Sequence, residues 1–208
     1  MIEFPQKFFV TGTDTGIGKT LVSAMLMSVL DATYWKPIQA GLDEETDSDF
    51  VKRVSGVDSI NIIPERFRLE TPMSPHGAAD IDGVSISLSD FELPDFNSKH
   101  LIVEGAGGLI VPINWRDTVL DLIDHLKLPV LLVARSSLGT LNHTLLSIEA
   151  LRDRNIQVIG VILTGESHPN NKKTLEHFTK LPVVEITPIE NINRDSLIES
   201  FNQLTIKK

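Results

Sequence analysis

The segment Phe8-Phe9-Val10-Thr11-Gly12-Thr13-Asp14-Thr15-Gly16-Ile17-Gly18-Lys19-Thr20 runs directly into Leu21-Val22-Ser23-Ala24-Met25-Leu26. An aromatic and β-branched run of this length reads as a buried strand, and the apolar stretch after Thr20 reads as a helix. Between them, Gly12, Gly16 and Gly18 permit a turn tight enough to aim successive backbone N–H groups inward. The helix start adds the positive end of its dipole and Lys19 adds an ammonium, so the turn is built to hold an anion. Lys19 is placed to reach the β- and γ-phosphates of a nucleotide, and the Thr20 hydroxyl to bind Mg²⁺. Five residues rather than the usual four separate Gly12 from Gly18, so the strand-turn-helix context carries part of the argument.

Apolar strand-like runs recur at residues 8–11, 33–35, 100–103, 130–134, 158–163 and 183–186. Helical patterns fall at 20–30, 47–54, 118–126 and 141–152, with Thr118 and Asp121 as a capping box. This alternation predicts an α/β fold, a mostly parallel sheet with helices on both faces, P-loop NTPase-like. Residues 64–97 crowd proline, serine and acidic residues without a clean period and read as an excursion over the sheet edge. A chain of 208 residues then forms one domain over 1–208, with Lys207-Lys208 as a solvated tail.

The net charge of −9 and the lack of a basic stripe argue against a nucleic-acid partner. With no cysteine, disulfides, thiolate metal sites and cysteine nucleophiles are excluded. The first seven residues lack a signal-peptide pattern and the apolar stretch at 21–30 is too short to span a bilayer, so a cytoplasmic protein without membrane contact is expected.

In an open parallel sheet, ligands gather beyond the carboxyl ends of the strands. Leu101-Ile102-Val103 ends in Glu104 and Gly105-Ala106-Gly107-Gly108, which sets a carboxylate, a candidate Mg²⁺ ligand, beside a stripped backbone. Lys36-Pro37 follows the strand at 33–35, where a fixed ammonium would neutralise charge on a transferring phosphoryl group; alone it reads as a solvated lysine. The acidic run from Asp43 to Asp49 reads as a solvated loop or helix start from which one carboxylate could reach the metal. Thr71 to His76 is a loop with hydroxyls and an imidazole, and nothing in the sequence favours His76 as a base.

Together these segments resemble the dethiobiotin synthetase family, ATP-dependent ligases that close the ureido ring of the biotin precursor. The likeness rests on residues 12–20, Lys36-Pro37-Ile38-Gln39-Ala40-Gly41, Pro72-Met73-Ser74-Pro75-His76, Val103 to Gly108 with Pro112 after it, and Leu138-Gly139-Thr140-Leu141-Asn142-His143, in that order along most of the chain. It implies a homodimer that takes 7,8-diaminononanoate, CO₂ and MgATP to dethiobiotin, with the substrate site across the interface. By position, it implies that Gly12, Thr13, Asp14, Thr15, Gly16, Ile17, Gly18, Lys19, Thr20 and Leu21 hold the nucleotide with Gly105, Ala106 and Gly107. Thr20, Asp49 and Glu104 would bind Mg²⁺. Lys36 and Lys19 would be catalytic, and Thr15, Lys36, Ala40, Ser74, Pro75, Gly107, Gly108, Leu109 and Asn142 would meet the substrate. Thr164, Gly165, Pro188, Ile189 and Glu190 would flank the base.

The chain departs from the family at Ala40, where many members carry a hydroxyl, at Gly16, where some carry an acid, and at Thr164, where an asparagine often reads the base; residues 85–98 are short for the family's helix. Two other readings use the same scaffold. A cobyrinate-type amidation synthase would need a glutaminase that this length leaves no room for. A partition-type ATPase would carry a second lysine early in the cradle, where Thr13, Asp14 and Thr15 stand.

Overall fold

The structure, a computed structural model, describes residues 2–206, so Lys207 and Lys208 lie outside the described residues. Its main sheet has seven strands, all parallel: β1 (Lys7–Gly12), β2 (Ala32–Trp35), β4 (Ile62–Ile63), β6 (His100–Gly108), β7 (Val130–Arg135), β8 (Val158–Thr164) and β9 (Val183–Ile186). They lie in the order β4-β2-β6-β1-β7-β8-β9, while β3 (Ile38–Ala40) and β5 (Phe67–Leu69) form a separate parallel pair. The helices are α1 (Lys19–Val29), α2 (Asp47–Ser55), α3 (Pro75–Asp82), α4 (Val119–Leu126), α5 (Thr140–Asp153), α6 (Pro169–Thr179) and α7 (Arg194–Ile206). No described helix is long and apolar enough to cross a membrane.

Two cores follow from the period of the strands, whose alternate side chains face opposite ways. Phe8, Val10, Ile102, Leu131 and Val133 pack with Val22 and Met25 of α1, Val51 of α2 and Leu197 of α7. Phe9, Leu101, Val103, Leu132 and Val161 pack on the other face with Leu122 of α4, Ile148 of α5 and Leu175 of α6. Because both faces are covered, the central strands read in sequence as unbroken apolar runs.

The expected strands and the four expected helices are present, within a residue or two at most ends. Thr118 caps α4 in the predicted box: its hydroxyl accepts from the Asp121 N–H at 3.4 Å, and its own N–H donates to Asp121 Oδ2 at 2.7 Å. Residues 64–97 depart from expectation. They hold β5 and α3, and bury Leu69, Ala78, Ile86 and Phe91 in the core. The Pro37 carbonyl accepts from the Arg66 and Phe67 N–H groups at 2.9 and 3.0 Å, which ties this layer to the strand end that carries Lys36. Strand β6 also runs further than expected, so Glu104 lies inside it, paired with Val10, before the register shifts and Gly12 meets Gly108.

At Gly105, β6 has no room for a side chain. A Cβ at Gly105 would lie 2.7 Å from Phe9 Cε1 and 3.2 Å from Val119 Cγ1, both within the core. Gly105→Ala is therefore expected to cost about 1–3 kcal/mol through overpacking, read as a lower urea midpoint at unchanged slope. An unaltered midpoint would show that Phe9 relaxes freely.

Candidate active site

The carboxyl ends of β1, β2 and β6 bring the phosphate turn, Lys36 and Glu104 together. Gly16 and Gly18 take φ of 67° and 92°, left-handed values that a side chain would strain, and α1 starts at once on Lys19. Lys19 is buried and its Nζ donates to the Asp14 carbonyl at 2.9 Å. Desolvation, aided by the nearby Lys36 charge, brings its pKa down to about 8 against the pull of Glu104, Asp47 and Asp14.

Glu104 is fully buried and accepts four hydrogen bonds. Oε1 accepts from Thr20 Oγ1 at 3.0 Å and Lys36 Nζ at 3.2 Å; Oε2 accepts from Ser23 Oγ at 2.6 Å and Tyr34 OH at 3.1 Å. Lys36, also buried, donates in addition to Asp47 Oδ2 and to the Gly105 carbonyl at 3.2 Å. Burial by itself lowers the Lys36 pKa, but Glu104 and Asp47 outweigh it and hold the ammonium above its ordinary value. Burial likewise raises the Asp47 carboxyl, and Lys36 with Thr20 more than reverses that. Burial and the Glu104 charge keep the Tyr34 phenol protonated, well above its usual range.

Thr20 Oγ1 stands 2.9 Å from Asp47 Oδ1 and 3.0 Å from Glu104 Oε1. Neighbouring ligands of an octahedral cation with bonds of about 2.1 Å are about 3.0 Å apart, so the oxygens suit Mg²⁺. No cluster of three or more His, Cys, Asp or Glu that could hold a metal occurs among the described residues. A cation here would accordingly complete its shell with phosphate oxygens and water, the usual manner of Mg²⁺.

Asp49, expected with Thr20 and Glu104, is not part of this group, and Asp47 stands in its place. Two residues apart on a helix point about 200° from each other, so only one of the pair can face Thr20. Asp49 is exposed at the start of α2, where its Oδ2 accepts from the Thr46 hydroxyl at 2.6 Å and its N–H donates to the same hydroxyl at 3.2 Å.

On the nucleotide side, Thr164 is buried beneath the turn and donates its hydroxyl to the Ile17 carbonyl at 2.6 Å. Its hydroxyl therefore props the loop rather than facing a base. Gly165, at φ 103°, donates its N–H to the Ile186 carbonyl at 3.1 Å, which sets the end of β8 beside the 188–190 loop. There Pro188 and Glu190 are exposed and Ile189 packs on the core, as Leu21 does on α1. Sequence reading missed Arg135, whose Nη2 donates to Asp14 Oδ2 at 3.2 Å and to the Thr15 carbonyl at 3.3 Å. The sequence shows Arg135 only as a lone charge ending an apolar strand; that this strand lies next to β1 comes from the order of the sheet.

A cavity of about 430 Å³ opens beside Lys36, and Thr15, Lys36, Ala40, Ser74, Pro75, Ala106 and Gly107 line it with Ile38, Met73, Val111 and Asp47. Ser74 and Pro75 reach it because Pro75 opens α3, with Ser74 Oγ 3.0 Å from His76 Nδ1. His76 points away, edge-on to Trp115 at 5.1 Å. Gly108 and Leu109 border a different hollow of about 380 Å³ with Thr13, Asp14 and Leu146, and Asn142 is exposed on α5. Within one chain, then, these three do not join the other substrate candidates.

The sequence profile described as an AAA domain matches residues 6–194. The ATP-dependent dethiobiotin synthetase of Rhodopseudomonas palustris strain ATCC BAA-98 is 53% identical over 169 residues, 81% of this chain and 79% of that protein. The protein of the same name from Nitrobacter hamburgensis is 46% identical over 196 residues, 94% of this chain and 92% of its own. Among solved structures, a plasmid partition protein of Borrelia burgdorferi superposes with a TM-score of 0.57 at 13% identity, covering 98% of both chains. Chloroplast FtsY of Physcomitrella patens gives 0.52 at 16% identity over 95% of this chain and 65% of that one. Both of these show a shared fold.

Replacing Thr164 by valine keeps its shape and leaves the Ile17 carbonyl unpaired beneath the loop. A loss of about 1–3 kcal/mol is expected, visible as a lower melting temperature that saturating ATP partly restores. Full stability in Thr164→Val would show that the loop does not depend on this prop.

Proposed function

The chain belongs to the ATP-dependent dethiobiotin synthetase family, and we propose that it forms dethiobiotin through a carbamate and a carbamic-phosphoric anhydride. It is a P-loop ligase of biotin biosynthesis that uses ATP. The observation that carries the proposed route is the position of Lys36. The one ammonium borders the cavity and touches both carboxylates beside the phosphate turn.

One amine of 7,8-diaminononanoate adds to CO₂ and loses a proton, giving a carbamate anion that the Lys36 ammonium would steady. Lys19 and the 16–20 amides would hold the triphosphate so that a carbamate oxygen attacks the γ-phosphorus while the bond to the β-phosphate oxygen breaks, releasing ADP. Thr20, Asp47 and Glu104 would hold Mg²⁺, whose role when bound is to neutralise charge on the phosphate oxygens. The second amine then attacks the carbonyl carbon, phosphate leaves with the C–O electron pair, and the nitrogen gives up its proton as the ring closes. Holding both amines on one substrate makes that attack intramolecular, where effective molarities reach about 10⁵ M or more. Apolar lining from Ile38, Met73 and Val111 suits the alkyl chain, and Ala40 leaves this wall without a hydroxyl.

The assembly proposed is a homodimer. Ile110 and Leu146 are exposed and line the hollow that Gly108 and Leu109 border, and an interface would cover them. Asn142 lies on the same helix as Leu146, so in a dimer it would reach the substrate held by the other protomer. With the Thr164 hydroxyl engaged, contacts to the base would come from Gly165 and residues 188–190 instead.

Pure protein supplied with MgATP, bicarbonate and the diamine should yield the cyclic urea by mass, and ADP formation should collapse without the diamine; diamine-independent hydrolysis would overturn the route. Lys36→Ala is expected to keep nucleotide affinity within a few-fold and lose about 10²-fold or more in ring closure, the scale of removing a charge-stabilising donor. Asp47→Asn should cost about 10- to 100-fold in Mg²⁺-dependent turnover whereas Asp49→Asn stays near wild type; the reverse order would return the metal role to Asp49.

A further inference from the structure

Glu104 projects from β6 into a space closed by α1 and β2, and the four donors that reach it are divided evenly between its oxygens. Thr20 and Lys36 hold Oε1, the oxygen that faces Asp47. Ser23 and Tyr34 hold Oε2 at 2.6 and 3.1 Å. Ser23 follows Thr20 by three residues, so both hydroxyls lie on one face of α1 above the carboxylate. Tyr34 comes from the neighbouring strand, and Ser23, Tyr34 and Glu104 are all 0% exposed. Neither residue lines the cavity beside Lys36, and the proposed route assigns neither hydroxyl a step.

Taking Thr20, Asp47 and Glu104 as the cation site, as read above, we infer that Ser23 and Tyr34 are specificity-determining positioning residues that close off Oε2 and leave Glu104 able to offer a divalent cation only Oε1. A single carboxylate oxygen suits Mg²⁺, which requires near-octahedral geometry at 2.0–2.1 Å. Ca²⁺ takes six to eight oxygens at 2.3–2.6 Å and readily uses both oxygens of one carboxylate. To supply the second oxygen here, the carboxylate would have to turn and strip two fully buried hydroxyls of their acceptor, which costs the desolvation of each. The pair thus discriminates against the larger ion through the carboxylate's orientation, without touching the ion.

The test titrates the ADP-bound protein calorimetrically with MgCl₂ or CaCl₂, with ADP alone as the blank, for wild type, Ser23→Ala, Tyr34→Phe and the double variant. In the double variant the Mg²⁺ Kd should rise by about 10- to 100-fold, the effect of losing outer-shell partners, while the Ca²⁺ Kd stays level or falls. Ser23→Ala alone, the smaller change in the core, should move the ratio the same way and serves if Tyr34→Phe unfolds. Equal weakening of both ions, or an unchanged ratio, would overturn the inference and leave the cation site standing. No divalent-cation binding to the wild-type ADP complex would overturn the cation site itself and this inference with it.

Discussion

A carboxylate with no exposed surface sits at the centre of this protein, and its neighbours are arranged around its charge. Removing a carboxylate from water costs several kcal/mol unless pairing and hydrogen bonds replace the lost hydration. Glu104 has both: one buried ammonium and three hydroxyls on two oxygens. The sheet order makes this possible, because β6 lies between β2, which ends beside Lys36, and β1, which leads to Thr20 and Ser23 through the turn. In any other strand order, Lys36 and the phosphate turn would not flank the same residue.

Such a cluster is poor evidence of stability, since apolar residues of equal volume often serve the fold better. Its value is geometric. The groups that would act on phosphate and, by the proposed route, on carbamate oxygens are held in place beforehand, so little reorganisation would be left for the reaction. The same logic accounts for the glycines at 105, 107 and 108, among which only Ala106 carries a side chain, a single methyl. A Cβ at Gly108 would lie 3.3 Å from the Thr13 carbonyl oxygen, and one at Gly107 3.3 Å from Thr15 Oγ1, so glycine at these two positions lets β6 pass close under the turn.

The parallel sheet and the cradle were legible because each rests on a local pattern, two-sided burial and a strand-turn-helix join; that Lys36 and Glu104 stand beside Thr20 followed from the family resemblance, since Lys36 alone reads as a solvated charge. The layer at 64–97 was not, because α3 spans only Pro75 to Asp82, β5 is three residues long, and their partner β3 lies far off in sequence. The helix start at 47 is legible in the sequence, so the choice between Asp47 and Asp49 turned on which of its faces meets Thr20, and that depends on how α2 packs against α1 rather than on its own sequence. Thr164 and Arg135 were opaque for a different reason. Each acts on the turn from a strand reached after more than a hundred residues of chain, and only the order of strands in the sheet reveals that proximity.

The two buried lysines show how environment divides labour between identical groups. Lys36 has two carboxylate partners and is held charged, whereas Lys19 has only the Asp14 carbonyl and sits near pKa 8. Burial acts against the charge of both; what differs is the counter-charge already present. Lys19 therefore has the most to gain from an arriving polyphosphate, which would bring the anion it lacks. Lys36 gains less from that anion, since Glu104 and Asp47 already balance it. On the proposed reading, the turn is where an arriving polyphosphate would gain most, while the ammonium beside the cavity would already be fixed and charged for the step that follows.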